Sequence, residues 1–244
     1  MGGIILLKLE KLQLKISTEI KSINEELRSS PSGYLVKRGK FLYHIDGSTQ
    51  KGITKNVDLI KDLCRKKYLL SRLSQLMKLS RGEKDSRTPY EIINSFSKAY
   101  KSVPIDYFYH RKTIAWMQRE KRRNTLFLET AIYEYQAVLY RSLSERIVAE
   151  IIHESGFVFE YDLHYDLGYA NVSPDFTIKN PFNDDTFLCE FYGAFNKSEY
   201  GQKMNDKFDA YAKIGFTDGE NLLTLFEYHI RVPERIRELL SGLY

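Results

Sequence analysis

Cysteine is scarce in this sequence, with only Cys64 and Cys189 among 244 residues. Neither belongs to a Cys-x-x-Cys pair and both sit among apolar neighbours, which excludes a disulfide framework or a zinc cluster and fits buried free thiols. Long hydrophobic runs are also missing. The apolar start Ile4–Leu7 is cut short by Lys8, Glu10 and Lys11, too soon for a membrane span or a signal peptide. A cytoplasmic protein without a membrane partner is the expectation. There is no Gly-x-x-x-x-Gly-Lys-Ser/Thr loop, so any nucleotide-driven step would need a partner. Internal repeats and low-complexity tracts are absent, and His110, His153 and His164 lack metal-ligand spacing.

What is abundant is tyrosine, 18 residues within an aromatic share of 14%. Tyrosine fills cores, and it also stacks on bases and bonds to phosphates. A hydrophobic share of 43% and a charged share of 28% are ordinary for a globular chain and argue against general disorder. The net charge of +5 conceals an asymmetry. Residues 1–124 hold 27 Lys and Arg against 12 Asp and Glu, whereas residues 125–244 hold 10 against 20. A basic half suits a polyanion, because each neutralised phosphate releases counterions. An acidic half suits cations. The division sets the expected organisation: a basic, mainly helical substrate-binding region over 1–124 and a catalytic core over 125–244.

Apolar spacing predicts a helix over 4–29, with Leu9, Leu12, Ile16, Ile20, Ile23 and Leu27 on one stripe. That stripe could pack on the chain's own core or form a coiled-coil seam in a homodimer. A hairpin is expected over 34–46 around Gly39, then a helix from about 56 to 79. Residues 80–89 read as a polar loop, and helices are expected near 90–101, 106–122 and 129–154. The cationic run Arg111, Lys112, Arg119, Lys121, Arg122 and Arg123 is a candidate nucleic-acid contact that would fix position without reading sequence. Trp116 and Met117, between its two clusters, are expected to pack inward. From 156 onward the pattern changes. Strands are expected at 157–161, 175–178, 186–192 and 222–227, with helices at 199–213 and 233–243. The class is α+β.

Pairing of the strands 175–178 and 186–192 carries the chemistry. If Ile178 faces Phe187, constant register puts Asp175 across from Glu190. Carboxylates this close repel, and one would keep its proton unless a cation intervened. Mg2+ takes one or two carboxylates plus phosphate oxygens, so the pair suits metal-assisted phosphodiester hydrolysis. Lys203 and Lys207 lie four apart on one face of the following helix, with Tyr211 a turn further on. Either lysine could orient water or neutralise the reacting phosphoryl group. Glu145, in a helical run upstream, could supply a third acid.

The stretch Ser173-Pro174-Asp175-Phe176-Thr177-Ile178, followed by Cys189-Glu190-Phe191-Tyr192-Gly193, resembles the core of the PD-(D/E)XK nuclease superfamily. It looks most like restriction-endonuclease-like proteins of bacteria and phages. Glu199-Tyr200, Lys207, Tyr211, the segment Gly215 to Glu227, and Ser142 to Glu145 before Gly156 fit in the same order. The resemblance covers about residues 140–230. It implies a restriction-endonuclease-like core, a mixed sheet flanked by helices, beside a mainly helical N-terminal half with a β-hairpin. It further implies a Mg2+- or Mn2+-dependent DNA endonuclease, in phage or anti-phage biology by fold analogy, with Asp175 and Glu190 as metal ligands and Glu145 in support. The chain departs from the pattern at Tyr192, where the superfamily has lysine, and at Phe191 and Leu143. The missing cation's role would pass to Lys207 or Lys203. Those departures also motivate the alternative of a catalytically degenerate nuclease scaffold that binds nucleic acid or a protein partner without cutting.

Overall fold

The computed structural model describes residues 2–124, 128–166, 168, 171–193 and 198–243, with the side chains of 2–8, 128 and 198–203 left out. It is a mixed α+β protein with two units, dividing between His110 and Arg111. The basic run beginning at Arg111 thus belongs to the second unit, where Lys121 and Arg123 both pair with Glu160.

The first unit opens with helix α1 (Gly2–Arg28), followed by three short strands. These are β1 (Tyr34–Arg38), β2 (Phe41–Asp46) and β3 (Thr49–Gly52), joined as an antiparallel meander. The expected hairpin is there, with Gly39 at its turn, and Gly47 turns the chain again into a third strand that the sequence pattern did not reveal. β3 is exposed throughout, so it carries no apolar alternation to read. Gly33 is indispensable at the entry: its φ is +75°, and a Cβ there would lie 2.1 Å from the carbonyl oxygen of Ile45. Helix α2 (Val57–Ser80), capped by Asn56, packs on α1. Ile16 and Ile23 of the α1 stripe are buried, whereas Leu9 and Leu12 are exposed. Arg65 pairs with Glu26 and Arg72 with Glu19, tying the two helices together.

The helix expected over 90–101 is two pieces, α3 (Pro89–Asn94) and α4 (Lys98–Lys101), separated at Ser95–Ser97. In place of one helix over 106–122 there is a single 3-10 turn at Ile105–Phe108 and, in the second unit, α5 (Arg111–Gln118). Among the described residues no helix is long and apolar enough to cross a membrane.

The second unit corrects the helix expected over 129–154. The segment starts as a hairpin of β4 (Tyr133–Tyr135) and β5 (Val138–Tyr140), and α6 begins only at Leu143, running to Glu154. Gln136 and Ala137, at φ +48° and +60°, make a turn with both central residues left-handed, a geometry that normally advertises itself by Asn or Gly. α6 starts where it does because Ser142 and Glu145 form a reciprocal capping box.

The sheet follows. β6 (Val158–Tyr161) leads through the small pair β7 (Tyr165–Asp166) and β8 (Asn171–Val172) to β9 (Phe176–Lys179) and β10 (Thr186–Tyr192). Helix α7 (Ser198–Lys213) crosses to β11 (Leu222–Phe226), and α8 (Glu227–Ile230) and α9 (Pro233–Ser241) finish the unit. Sheet order is β11-β10-β9-β6, with β10–β11 parallel and the other pairs antiparallel. A parallel neighbour requires a crossover, and α7 lies in that crossover. The core comprises Val148, Ala149 and Ile152 of α6, Phe176 and Ile178 of β9, Cys189, and Ile236 and Leu240 of α9. Each large apolar side chain fully removed from water contributes roughly 1.5–3 kcal/mol.

Candidate active site

β9 and β10 pair in the register that brings the two acids together. Ile178 lies opposite Phe187 and Phe176 opposite Cys189; the next step sets Asp175 beside Glu190. Both side chains are buried, at 7% and 1% exposure. Burial raises the Asp175 carboxyl well above its ordinary range, and the charges of Glu190 and then Glu145 push it further. Burial also raises Glu190, against the opposing pull of Lys207. A buried pair of this kind favours either a shared proton or a cation.

Each carboxylate has named partners. Lys207 donates to both oxygens of Glu190 at 3.0 and 2.8 Å, and the Tyr211 hydroxyl donates to Oε1. The Phe191 amide donates to Asp175 Oδ2 at 2.7 Å, and Arg141 Nη2 to Oδ1 at 3.2 Å. Arg141 also reaches Asp162 Oδ2 at 3.3 Å. Asp162 sits in the left-handed region at φ +54°, tolerable for aspartate, and its amide donates to the Asp175 carbonyl. Burial raises the Asp162 carboxyl as well.

Tyr161 connects the remaining acid. Its hydroxyl donates to Glu145 Oε2 at 2.8 Å while accepting from the Arg141 amide and Nε. Glu145 therefore faces the site through Tyr161 while capping α6 through the Ser142 amide. Four acids thus gather around two cations, Arg141 and Lys207, and the excess is negative. Among the described residues, no group of three or more His, Cys, Asp or Glu side chains is arranged to hold a metal. The candidate donor set is the Asp175–Glu190 pair.

Of the residues picked out from sequence, Asp175 and Glu190 lie side by side with Lys207 on Glu190, and Glu145 joins through Tyr161 and then Arg141. The side chain of Lys203 lies outside the described residues. Arg141, Tyr161 and Asp162 were not anticipated; the Ser142-x-x-Glu145 box was the signal that could have led to Arg141, immediately before it. In the basic run, Arg119 and Arg122 are exposed, whereas Glu160 occupies Lys121 and Arg123 at 2.8 and 3.0 Å. Trp116 is half-buried, with the ammonium groups of Lys121 and Lys179 over its ring. Met117, expected inside, is 44% exposed, because α5 is a short helix that buries Thr113.

Comparison of the chain with family models, with curated proteins and with solved structures returned no match.

Proposed function

We propose that the chain is a divalent-cation-dependent nuclease of the PD-(D/E)XK type, hydrolysing phosphodiester bonds of DNA at Asp175 and Glu190. The observation that carries this reading is the buried carboxylate pair held across adjacent strands, both members raised above their ordinary range. The donor chemistry fits Mg2+ or Mn2+. A carboxylate offers about four lone-pair directions, and the polar contacts described leave room on Asp175 Oδ1 and Oδ2 and on Glu190 Oε2. A bound cation would polarise a phosphoryl oxygen and make its water more acidic.

The chain's own groups do the rest. Arg141 and the Phe191 amide fix the Asp175 carboxylate from opposite oxygens, so that its orientation survives the approach of a phosphate. Tyr211, buried and raised above the ordinary tyrosine range by burial and by Glu190, stays a neutral donor and holds Glu190. Lys207 is partly exposed, at 39%, and can turn from Glu190 toward a phosphoryl oxygen. There it would neutralise charge that develops as water attacks phosphorus and the ester oxygen leaves.

A second reading rests on a specific observation. The carboxylates are already ion-paired, Asp175 with Arg141 and Glu190 with Lys207, and Tyr192 stands where the superfamily has lysine. A scaffold that binds nucleic acid without cutting would look like this. Incubating plasmid and single-stranded DNA with Mg2+, Mn2+ or EDTA, beside Asp175→Ala and Glu190→Ala, separates the two. Metal-dependent cutting lost in both variants supports the nuclease; intact binding without cutting under either metal supports the second reading.

A further inference from the structure

The first unit contains a cavity of about 660 Å³ between β1, the half-buried Lys67 and Ser71 of α2, and the turn into α4. That volume lies within the range of about 300–1,000 Å³ common for small-ligand pockets. Its lining is unusual in charge. Lys37, Lys67 and Lys98 line it together with Ser71, Ser95 and Ser97, and no aspartate or glutamate takes part. Other cations of α2 have oxygen partners, Arg65 with Glu26, Arg72 with Glu19, Lys78 with Asp85 and Lys66 with the carbonyls of Pro31 and Gly33, while Lys61 lies over the Tyr107 ring. Lys67 lies over the Phe96 ring, 5.3 Å from its centroid, and no carboxylate lies within ion-pairing distance of Lys37, Lys67 or Lys98 among the described residues. Three like charges around one concavity repel, and a bound anion removes that cost while forming charge-assisted hydrogen bonds. The floor is firm, since Phe96 and Tyr100 are buried and the Tyr100 hydroxyl accepts from the Leu35 amide at 3.0 Å. At the rim stands Tyr34, 54% exposed, an aromatic face of the kind on which bases stack.

We propose that this cavity binds a nucleoside phosphate, with Lys37, Lys67 and Lys98 on the phosphoryl group and Tyr34 beside the base. The same chemistry is presented by a free nucleotide and by the 5′-phosphorylated end of a nucleic-acid strand. This site is independent of the carboxylate pair, and its test is run in EDTA so that cutting plays no part.

The experiment titrates the full chain with adenosine 5′-monophosphate, adenosine, and a short oligothymidylate with or without a 5′-phosphate, read by calorimetry. Saturable binding of the monophosphate is expected, weakened by about tenfold or more in Lys67→Gln. Lys101→Gln, outside the lining, should bind as the wild type does. Tighter binding of the 5′-phosphorylated oligonucleotide than of the mononucleotide assigns the site to a strand end, and the reverse assigns it to a free nucleotide. Circular dichroism and the melting temperature check that the variants are folded, and the triple change of Lys37, Lys67 and Lys98 to glutamine serves as a second variant set. Absence of saturable binding to either phosphorylated probe would overturn the proposal. So would adenosine binding as tightly as its monophosphate, or monophosphate binding that survives the triple change.

Discussion

Replacing Glu190 by glutamine takes one negative charge out of the buried pair while leaving its shape in place. The amide oxygen can still accept from Tyr211 and Lys207 at the Oε1 position, where both donors converge. What is lost is the charge of the buried carboxylate and the Lys207 bond at the Oε2 position, where the amide N–H cannot accept; because Lys207 is 39% exposed and can turn to water, the loss is about 1 kcal/mol. What is gained is relief for Asp175, whose carboxyl is raised by burial and then by Glu190. In EDTA the variant should therefore melt within about 3 °C of the wild type, or above it. With cation the order reverses. At a magnesium concentration of about one hundred times Kd, binding to the folded state alone adds about 2.7 kcal/mol. For a unit the size of Arg111–Tyr244, the unfolding entropy is about 0.3 kcal/mol/K. The wild-type transition should then rise by about 10 °C, and the Glu190→Gln transition should hardly move. Differential scanning fluorimetry with Mg2+ and EDTA measures both. An equal magnesium shift in the two proteins would refute the assignment of Glu190 as a ligand. A large loss of stability in EDTA would show that the ion pair outweighs the repulsion.

Further outcomes follow from the same geometry. Asp175 is raised, so between the ordinary carboxylate range and its folded value the native state holds a proton that the unfolded chain has released; without cation, stability should fall as pH rises through that window. Cation binding displaces that proton, so magnesium affinity should strengthen with pH by up to about tenfold per unit, and calorimetry from about pH 5 to 8 would reveal a flat profile if the idea is wrong. Lys207→Met should lower the cleavage rate by about a hundredfold while leaving DNA affinity nearly unchanged, checked by single-turnover kinetics. Glu160→Gln releases Lys121 and Arg123 from their shared partner, and should steepen the salt dependence of DNA binding by about one to two in log–log slope. Ile178→Ala, fully buried in the central strand β9, should cost about 2–5 kcal/mol in urea unfolding.

The strand register was legible because side-chain period two leaves little freedom once both strands are buried. Phe176, Ile178, Phe187 and Cys189 share one buried cluster, whereas Thr177 and Leu188 are buried on the other face, so a slip of one would carry the large side chains out of the cluster they fill. That register is what places Asp175 by Glu190, and the helical spacing of Lys207 and Tyr211 brings both to the same carboxylate. The hairpin β4–β5 was not legible. Its strands are three residues each, too short to show alternation, and its turn uses Gln136 and Ala137 where the geometry usually announces itself by Asn or Gly. Arg141 was hidden for the same reason, because its reach to Asp175 and Asp162 depends on that hairpin delivering it to the mouth of α6. The basic run misled in part. Charge counted along the chain cannot tell that Glu160, 37 residues beyond Arg123, occupies two of its members.

The central claim is that Asp175 and Glu190 together support metal-dependent phosphodiester cleavage. The most direct measurement is the cleavage rate of a labelled DNA duplex against magnesium concentration, for wild type and for Glu190→Gln of equal melting temperature in EDTA. A wild-type rate that rises saturably with Mg2+ and vanishes in EDTA, with no detectable cutting by the variant, is the expected result. Equal cutting by both proteins, or none by the wild type at any magnesium concentration, would contradict it.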